Sequence, residues 1–276
     1  MLLGIHLSTT GGMAAAAHRA AGLRIHSAQI FTANQRRWKA PAMPEADAET
    51  FRREMSIPVL AHASYLINPA GSRPGVTERS RQALADELER MARLGIRWMV
   101  LHPGSHLGDG PKLGMERAAA MLGEALESCS QGGILLENTA GQGSVLGGDL
   151  RELARLRELI AAPTRTGFCI DTAHLHGAGY DLSPERLQGT VESMLKELGG
   201  GVRAFHLNDS LADRGSLRDR HQTAGRGEIG MRPLAGLAAM PVFADLPAVV
   251  ETPGTDVDRE RDARLIGRCS EMIHSN

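Results

Sequence analysis

Eight short apolar runs, spread along the whole chain, restrict most strongly how it can fold. They cover residues 2–7, 28–32, 59–63, 98–102, 133–138, 166–172, 202–208 and 248–252. Each is continuous rather than alternating in polarity, the pattern of a strand buried on both faces, as in a parallel sheet. The stretches between them read as helices. Residues 77–94 place Leu84, Leu88, Met91 and Leu94 along one face, with charge elsewhere. Residues 115–128, 149–160, 184–198 and 258–273 behave alike, and Ser183-Pro184 reads as an N-cap followed by a first-turn proline. Eight strand–helix units over about 250 residues predict a (β/α)8 TIM barrel, with a doubly wound open sheet as the alternative. No linker or composition break divides the chain, so a single domain over 1–276 is expected. The irregular pieces 34–44, 68–76, 102–113 and 209–231 all follow predicted strands. They would lie together on the C-terminal face, where barrel enzymes build their sites.

Composition excludes several classes. The hydrophobic fraction of 42% is enough for a large core, and no run approaches the ~18 apolar residues of a membrane helix. No membrane association is expected. No basic segment precedes an apolar one at the start, and the three cysteines show no CxxC spacing. A reducing, cytoplasmic setting is the expectation. No GKS/T loop is present and no GxGxxG opens a helix after the first strand, so no nucleotide cofactor is expected.

The ends of the runs carry the chemistry. His62, His102, Glu137, Asp171, His206 and Glu251 close six consecutive predicted strands. His174 follows Asp171 by three, and Asp219 and His221 lie in the loop after His206. Four carboxylates converging on one barrel mouth would repel one another without counter-charge. Divalent cations remove that conflict, and imidazole with carboxylate is a ligand set that zinc or manganese accepts. Nine ligands, one of them bridging, suffice for three sites of three or four ligands each. His6 ends the first run as a ligand-supporting or core residue, and Cys169 is expected in the barrel packing.

The segments FTANQRRW, AHASYLIN, HPGSHLG, LLENTAGQGS, CIDTAHLHGAGYDL, HLNDS, DRHQTAGRGEIG and ETPG resemble the endonuclease IV family of apurinic/apyrimidinic endonucleases. The resemblance covers most of the chain in order. It implies a TIM barrel with three Zn2+, Mn2+ being possible at one site. His62, His102 and Glu137 would hold the first ion. Glu137 would bridge to a second, held with Asp171, His206 and Glu251, and His174, Asp219 and His221 would hold the third. Ala63 and Ala173 stand where some members carry Asp and Cys, and neither position is a ligand.

The implied reaction belongs to base excision repair: metal-assisted hydrolysis of the phosphodiester 5′ to an abasic site in duplex DNA. Glu137 would be the catalytic carboxylate, and the products a 3′-hydroxyl and a 5′-deoxyribose phosphate. Trimming of blocked 3′ ends is implied as well, by a monomeric enzyme. Arg36, Tyr65 and Leu66 match positions that family members push into the duplex. A metal-dependent sugar isomerase or epimerase of the same barrel type is the competing reading. It would use Glu137, Asp171, His206 and Glu251 around one ion and leave the other ligands without purpose.

Overall fold

The computed structural model describes residues 1–274. Strands β1 (Leu2–His6), β2 (Ser27–Phe31), β3 (Val59–His62), β4 (Trp98–Leu101), β5 (Gly133–Glu137), β6 (Thr166–Asp171) and β7 (Val202–His206) appear where apolar runs predict them. A two-residue antiparallel pair follows, β8 (Asp209–Ser210) with β9 (His221–Gln222), and then the last barrel strand, β10 (Pro247–Val250). The sheet closes in the order β1-β10-β7-β6-β5-β4-β3-β2, every pair parallel. The barrel of the sequence reading is therefore correct, and the open sheet is not.

Helices α1 (Met13–Ala21), α2 (Glu45–Glu54), α3 (Pro74–Arg93), α4 (Pro111–Ser128), α5 (Leu150–Ile160), α6 (Thr172–Ala178), α7 (Leu187–Leu198), α8 (Met231–Ala238) and α9 (Asp256–His274) lie between or after the strands. The predicted helix starts each move by one to four residues, to Pro74, Pro111, Leu150, Leu187 and Asp256. Ser183-Pro184 forms a turn, because the Ser183 carbonyl accepts the N–H groups of Arg186 and Leu187, and α7 begins only at Leu187.

Side-chain alternation explains how this frame builds a site. Leu60, Val100, Leu135, Cys169, Ala204 and Val249 pack together inside the barrel, Cys169 among them as expected. Their neighbours in sequence, such as Ile134, Leu136, Phe168 and Ile170, pack instead with the large cluster that includes the helices. Strand side chains point to the same face every second residue. Two positions beyond each interior residue stand His62, His102, Glu137, Asp171, His206 and Glu251. The apolar layer is thus the floor of a cup, and the ligand types form its next layer. At one wall the strands approach so closely that only glycine fits: a Cβ on Gly4 would lie 1.8 Å from the Ser27 carbonyl oxygen.

Candidate metal centre

The candidate ligands assemble into three groups whose donor atoms lie within 4.8 Å of one another. The first is His62, His102 and Glu137; Glu137 Oε2 lies 3.3 Å from His62 Nε2 and 3.0 Å from His102 Nε2. The second is Glu137, Asp171, His206 and Glu251, with His206 Nδ1 2.8 Å from Glu137 Oε1 and 3.1 Å from Glu251 Oε2. Glu137 faces one group with each oxygen. The third is Asp171, His174 and His221. Asp219 flanks it, its two oxygens each 3.3 Å from an imidazole Nε2, one of His174 and one of His221. All nine candidates of the sequence reading therefore meet at one mouth. The structure adds Asp171 as the residue shared between the second and third groups.

Local folding accounts for the spacings. Asp171 is the N-cap of α6, and its Oδ1 accepts the His174 backbone N–H at 2.7 Å. The three-residue interval is the N-cap to N3 interval of a helix start. In the third group, the short β8–β9 ladder sets Ser210 opposite His221 and so returns the loop to the mouth.

Backbone carbonyls and polar side chains behind the groups fix ring and carboxylate orientation. His62 Nδ1 donates to the Ala63 carbonyl at 2.8 Å, and His174 Nδ1 donates to the Asn138 carbonyl at 2.9 Å. Both rings then turn Nε2 toward the carboxylates, the usual support for a metal-binding histidine. Gln29 donates to Glu251 at 2.6 Å, and its oxygen accepts from His206 Nε2 at 2.8 Å. Asn208 donates to Asp171 at 2.6 Å and accepts the Glu251 backbone N–H at 2.8 Å. His6 lies 3.4 Å from Glu251 and 3.1 Å from Gln29, which makes it a supporting residue. Gln29, Asn138 and Asn208 are absent from the sequence reading. The one signal for Gln29 was a lone amide inside an otherwise apolar run.

Asp171 and His206 are fully buried and Glu137 nearly so. Burial pushes the Glu137 carboxyl up, but His206 and His102 beside it outweigh burial and hold it well below the usual range. Burial works against the protonated His174 ring, yet Asp171, Asp219 and Glu137 carry it up to about 10. The cluster is thus built around dense negative charge. His221 Nε2 is buried with no hydrogen-bond partner among the described residues, although it faces two carboxylates. An orphaned imidazole nitrogen aimed at carboxylates fits a divalent cation, and oxygen with nitrogen donors suits zinc or manganese.

The three residues expected to touch DNA stand on loops at the same mouth. Tyr65 is 60% exposed, so its ring is available to a ligand although it sits only 5.4 Å from the His62 ring. Leu66 is half-buried beside it, and Arg36 is exposed on the loop after β2. Trp38, in that loop, packs against the core beneath the Arg79 guanidinium, 5.0 Å from its ring.

Comparison with known proteins agrees with this geometry. Residues 15–268 match the family described as "Xylose isomerase-like TIM barrel". The chain is 46% identical to a "Probable endonuclease 4" of Oleidesulfovibrio alaskensis, over 91% of this chain and 88% of that protein. It is 43% identical to one from Chloroflexus aurantiacus, over 94% of each. The crystal structure of endonuclease IV from Thermus thermophilus superposes with a TM-score of 0.87 at 34% identity, covering 99% of this chain and 100% of that one. A D-psicose 3-epimerase shares the fold at 12% identity and a TM-score of 0.71. The chain belongs to the endonuclease IV family.

Proposed function

We propose that this protein is a DNA-repair endonuclease that hydrolyses the phosphodiester 5′ to an abasic site in duplex DNA. The observation that carries the reading is the joining of three ligand groups through Glu137 and Asp171. A one-metal sugar isomerase or epimerase would employ only the second group. It would leave His62, His102, His174, Asp219 and His221 unexplained. The proposed ligand set is His62, His102 and Glu137 for one zinc. Glu137, Asp171, His206 and Glu251 would hold another, and His174, Asp219 and His221 a third, with manganese possible at one site. Bound divalent ions would supply phosphate neutralisation and a nucleophilic water at neutral pH.

The chain's own residues do the rest. Glu137 is the catalytic carboxylate, oriented so that each oxygen serves a different group. Gln29, Asn208 and Asn138 hold the ligand atoms in place before substrate arrives. An abasic nucleotide has no base to unstack, so drawing it out of the helix costs little. Arg36, Tyr65 and Leu66 wedge into the gap, as side chains that open a base step do. The products are a 3′-hydroxyl and a 5′-deoxyribose phosphate, and blocked 3′ ends are trimmed at the same centre. The reading takes residues 1–276 as one domain acting as a cytoplasmic monomer. The three cysteines are free, in keeping with a reducing setting, and no helix among the described residues is long and apolar enough to cross a membrane.

The test is incision of a duplex carrying one tetrahydrofuran abasic analogue, by the purified protein and by Glu137→Gln, with metal content measured on both. Wild type with three metals is expected to cut 5′ to the analogue. The variant is expected to lose more than about a hundredfold in rate together with bound metal. A fully metallated wild type that does not cut would overturn the reading.

A further inference from the structure

Glu87 is a buried carboxylate that none of the ligand groups uses. It lies on α3, only 6% exposed, and its Oε2 has no hydrogen-bond partner among the described residues. Burial pushes its carboxyl up to about 7, against the pull of the Ser64 N–H. A buried acid of this kind costs more than the amide or apolar side chain that could replace it. Its hydrogen bond to the neighbouring loop is informative. Glu87 Oε1 accepts the Ser64 backbone N–H at 3.1 Å.

Ser64 is a junction between the two loops that carry Arg36, Tyr65 and Leu66. Its hydroxyl donates to the Gln35 carbonyl at 2.9 Å and accepts the Leu66 N–H at 3.3 Å. The same helix grips both loops on either side of this point. Ser80 Oγ accepts the Asn68 N–H at 3.1 Å, after the Tyr65 turn. Arg90 donates twice to the Thr32 carbonyl, at 2.8 and 2.6 Å, and once to the Pro41 carbonyl at 2.9 Å, bracketing the Arg36 loop. Ser80, Glu87 and Arg90 are seven and three residues apart, the spacing of one helix face. Of the three, only Glu87 reaches the residue that ties the loops to each other.

We propose that Glu87 is a positioning residue for damage recognition, which holds Arg36, Tyr65 and Leu66 in register with the metal groups by way of Ser64. The inference rests on the abasic-site reading above. It assigns Glu87 to lesion binding and strand opening, and it leaves the chemistry to the metal groups. Losing the carboxylate frees the Ser64 N–H, so the junction that ties the two loops is no longer anchored to α3 at Ser64.

The experiment uses the full-length, metal-loaded protein and its Glu87→Ala, Glu87→Gln and Glu87→Asp variants. Three quantities are read: affinity for the tetrahydrofuran duplex against undamaged duplex, the single-turnover rate at saturating DNA, and fluorescence of 2-aminopurine opposite the lesion. E87A is expected to keep its metals and a saturated rate within about threefold of wild type. It should bind the lesion about tenfold more weakly and lose most of the fluorescence rise that reports unstacking. E87Q retains an acceptor oxygen for Ser64 and should stay within about twofold of wild type. E87D cannot reach Ser64 without moving the loop, and it answers the same question if E87A does not fold. Wild-type-like lesion binding and unstacking by E87A or E87D would overturn the proposal. So would an E87Q as impaired as E87A, because charge and not the hydrogen bond would then matter. A metallated wild type that fails to incise would overturn both this inference and the reading it rests on.

Discussion

Five backbone N–H groups converge on the buried carboxylate of Asp209. Oδ1 accepts from Ser210, Ile229 and Gly230, and Oδ2 from Gly225 and Gly227, all between 2.8 and 3.2 Å. The loop they close carries Asp219 and His221. Gly227 approaches so closely that an added Cβ would stand 2.3 Å from the Ser210 carbonyl oxygen. The carboxylate therefore acts as the loop's core in place of an apolar side chain. Asp209→Ala leaves these donors without an acceptor, at a cost of about 3 kcal/mol or more. On the proposed metal assignment, the variant should retain the metals of the first and second groups, lose that of the third, and unfold at lower denaturant concentration. Metal analysis and urea melts check this. Three metals and an unchanged midpoint would show that the loop is held by something else. The sequence places Asp209 in HLNDS beside a ligand, but nothing in its spacing distinguishes a metal ligand from a collector of backbone N–H groups.

At the scale of elements, the strands were legible because their burial on both faces leaves a continuous apolar run. The six candidate ligands at strand ends were legible because each stands out as a polar residue near the close of an apolar run, and the two-residue alternation puts it on the same face as the interior residue before it. Periodicity marks five helices and passes over α1, α2, α6 and α8. α1, α2 and α8 are only 9, 10 and 8 residues long, too short for an apolar stripe to repeat along the sequence. α6 begins at Thr172, directly after the strand ends at its N-cap Asp171, and it reads as loop until that cap is seen. The contact between β1 and β2 was also hidden, though it bears on the site. Gly4 pairs with Ser27 and His6 with Gln29, so the close approach at Gly4 sets the register that brings Gln29 to Glu251 and His206. Gly4→Ala should separate these strands and cost about 3 kcal/mol. It should also weaken metal retention, although no candidate ligand is changed. Thermal melts and metal loading would register both effects, and a variant that matched wild type in each would refute the link between register and site.

For the whole molecule, the barrel supplies rigidity and the mouth stores unfavourable charge. Asp219 and His174 give the sign of the pH dependence. Burial opposes ionisation of Asp219, yet His174 and His221 bring its carboxyl from 3.8 down to about 2. Its stabilisation is present above its unfolded value and disappears as pH falls through about 2. His174 is raised from 6.5 to about 10, so its stabilisation is complete below 6.5 and disappears as pH rises through about 10. A protein stripped of metal thus holds together best between about pH 4 and 6.5, where carboxylate and protonated imidazole neutralise one another. Metal binding needs the imidazoles unprotonated, so its affinity climbs with pH. The two trends run in opposite directions. The gap in Tm between metal-loaded and chelator-treated protein should therefore widen from pH 6 to pH 9 and reach the order of 10 °C at the upper end. Differential scanning calorimetry of both forms across that range measures it. A gap that stayed constant or narrowed would mean that the mouth is not held together by exchange of protons for metal.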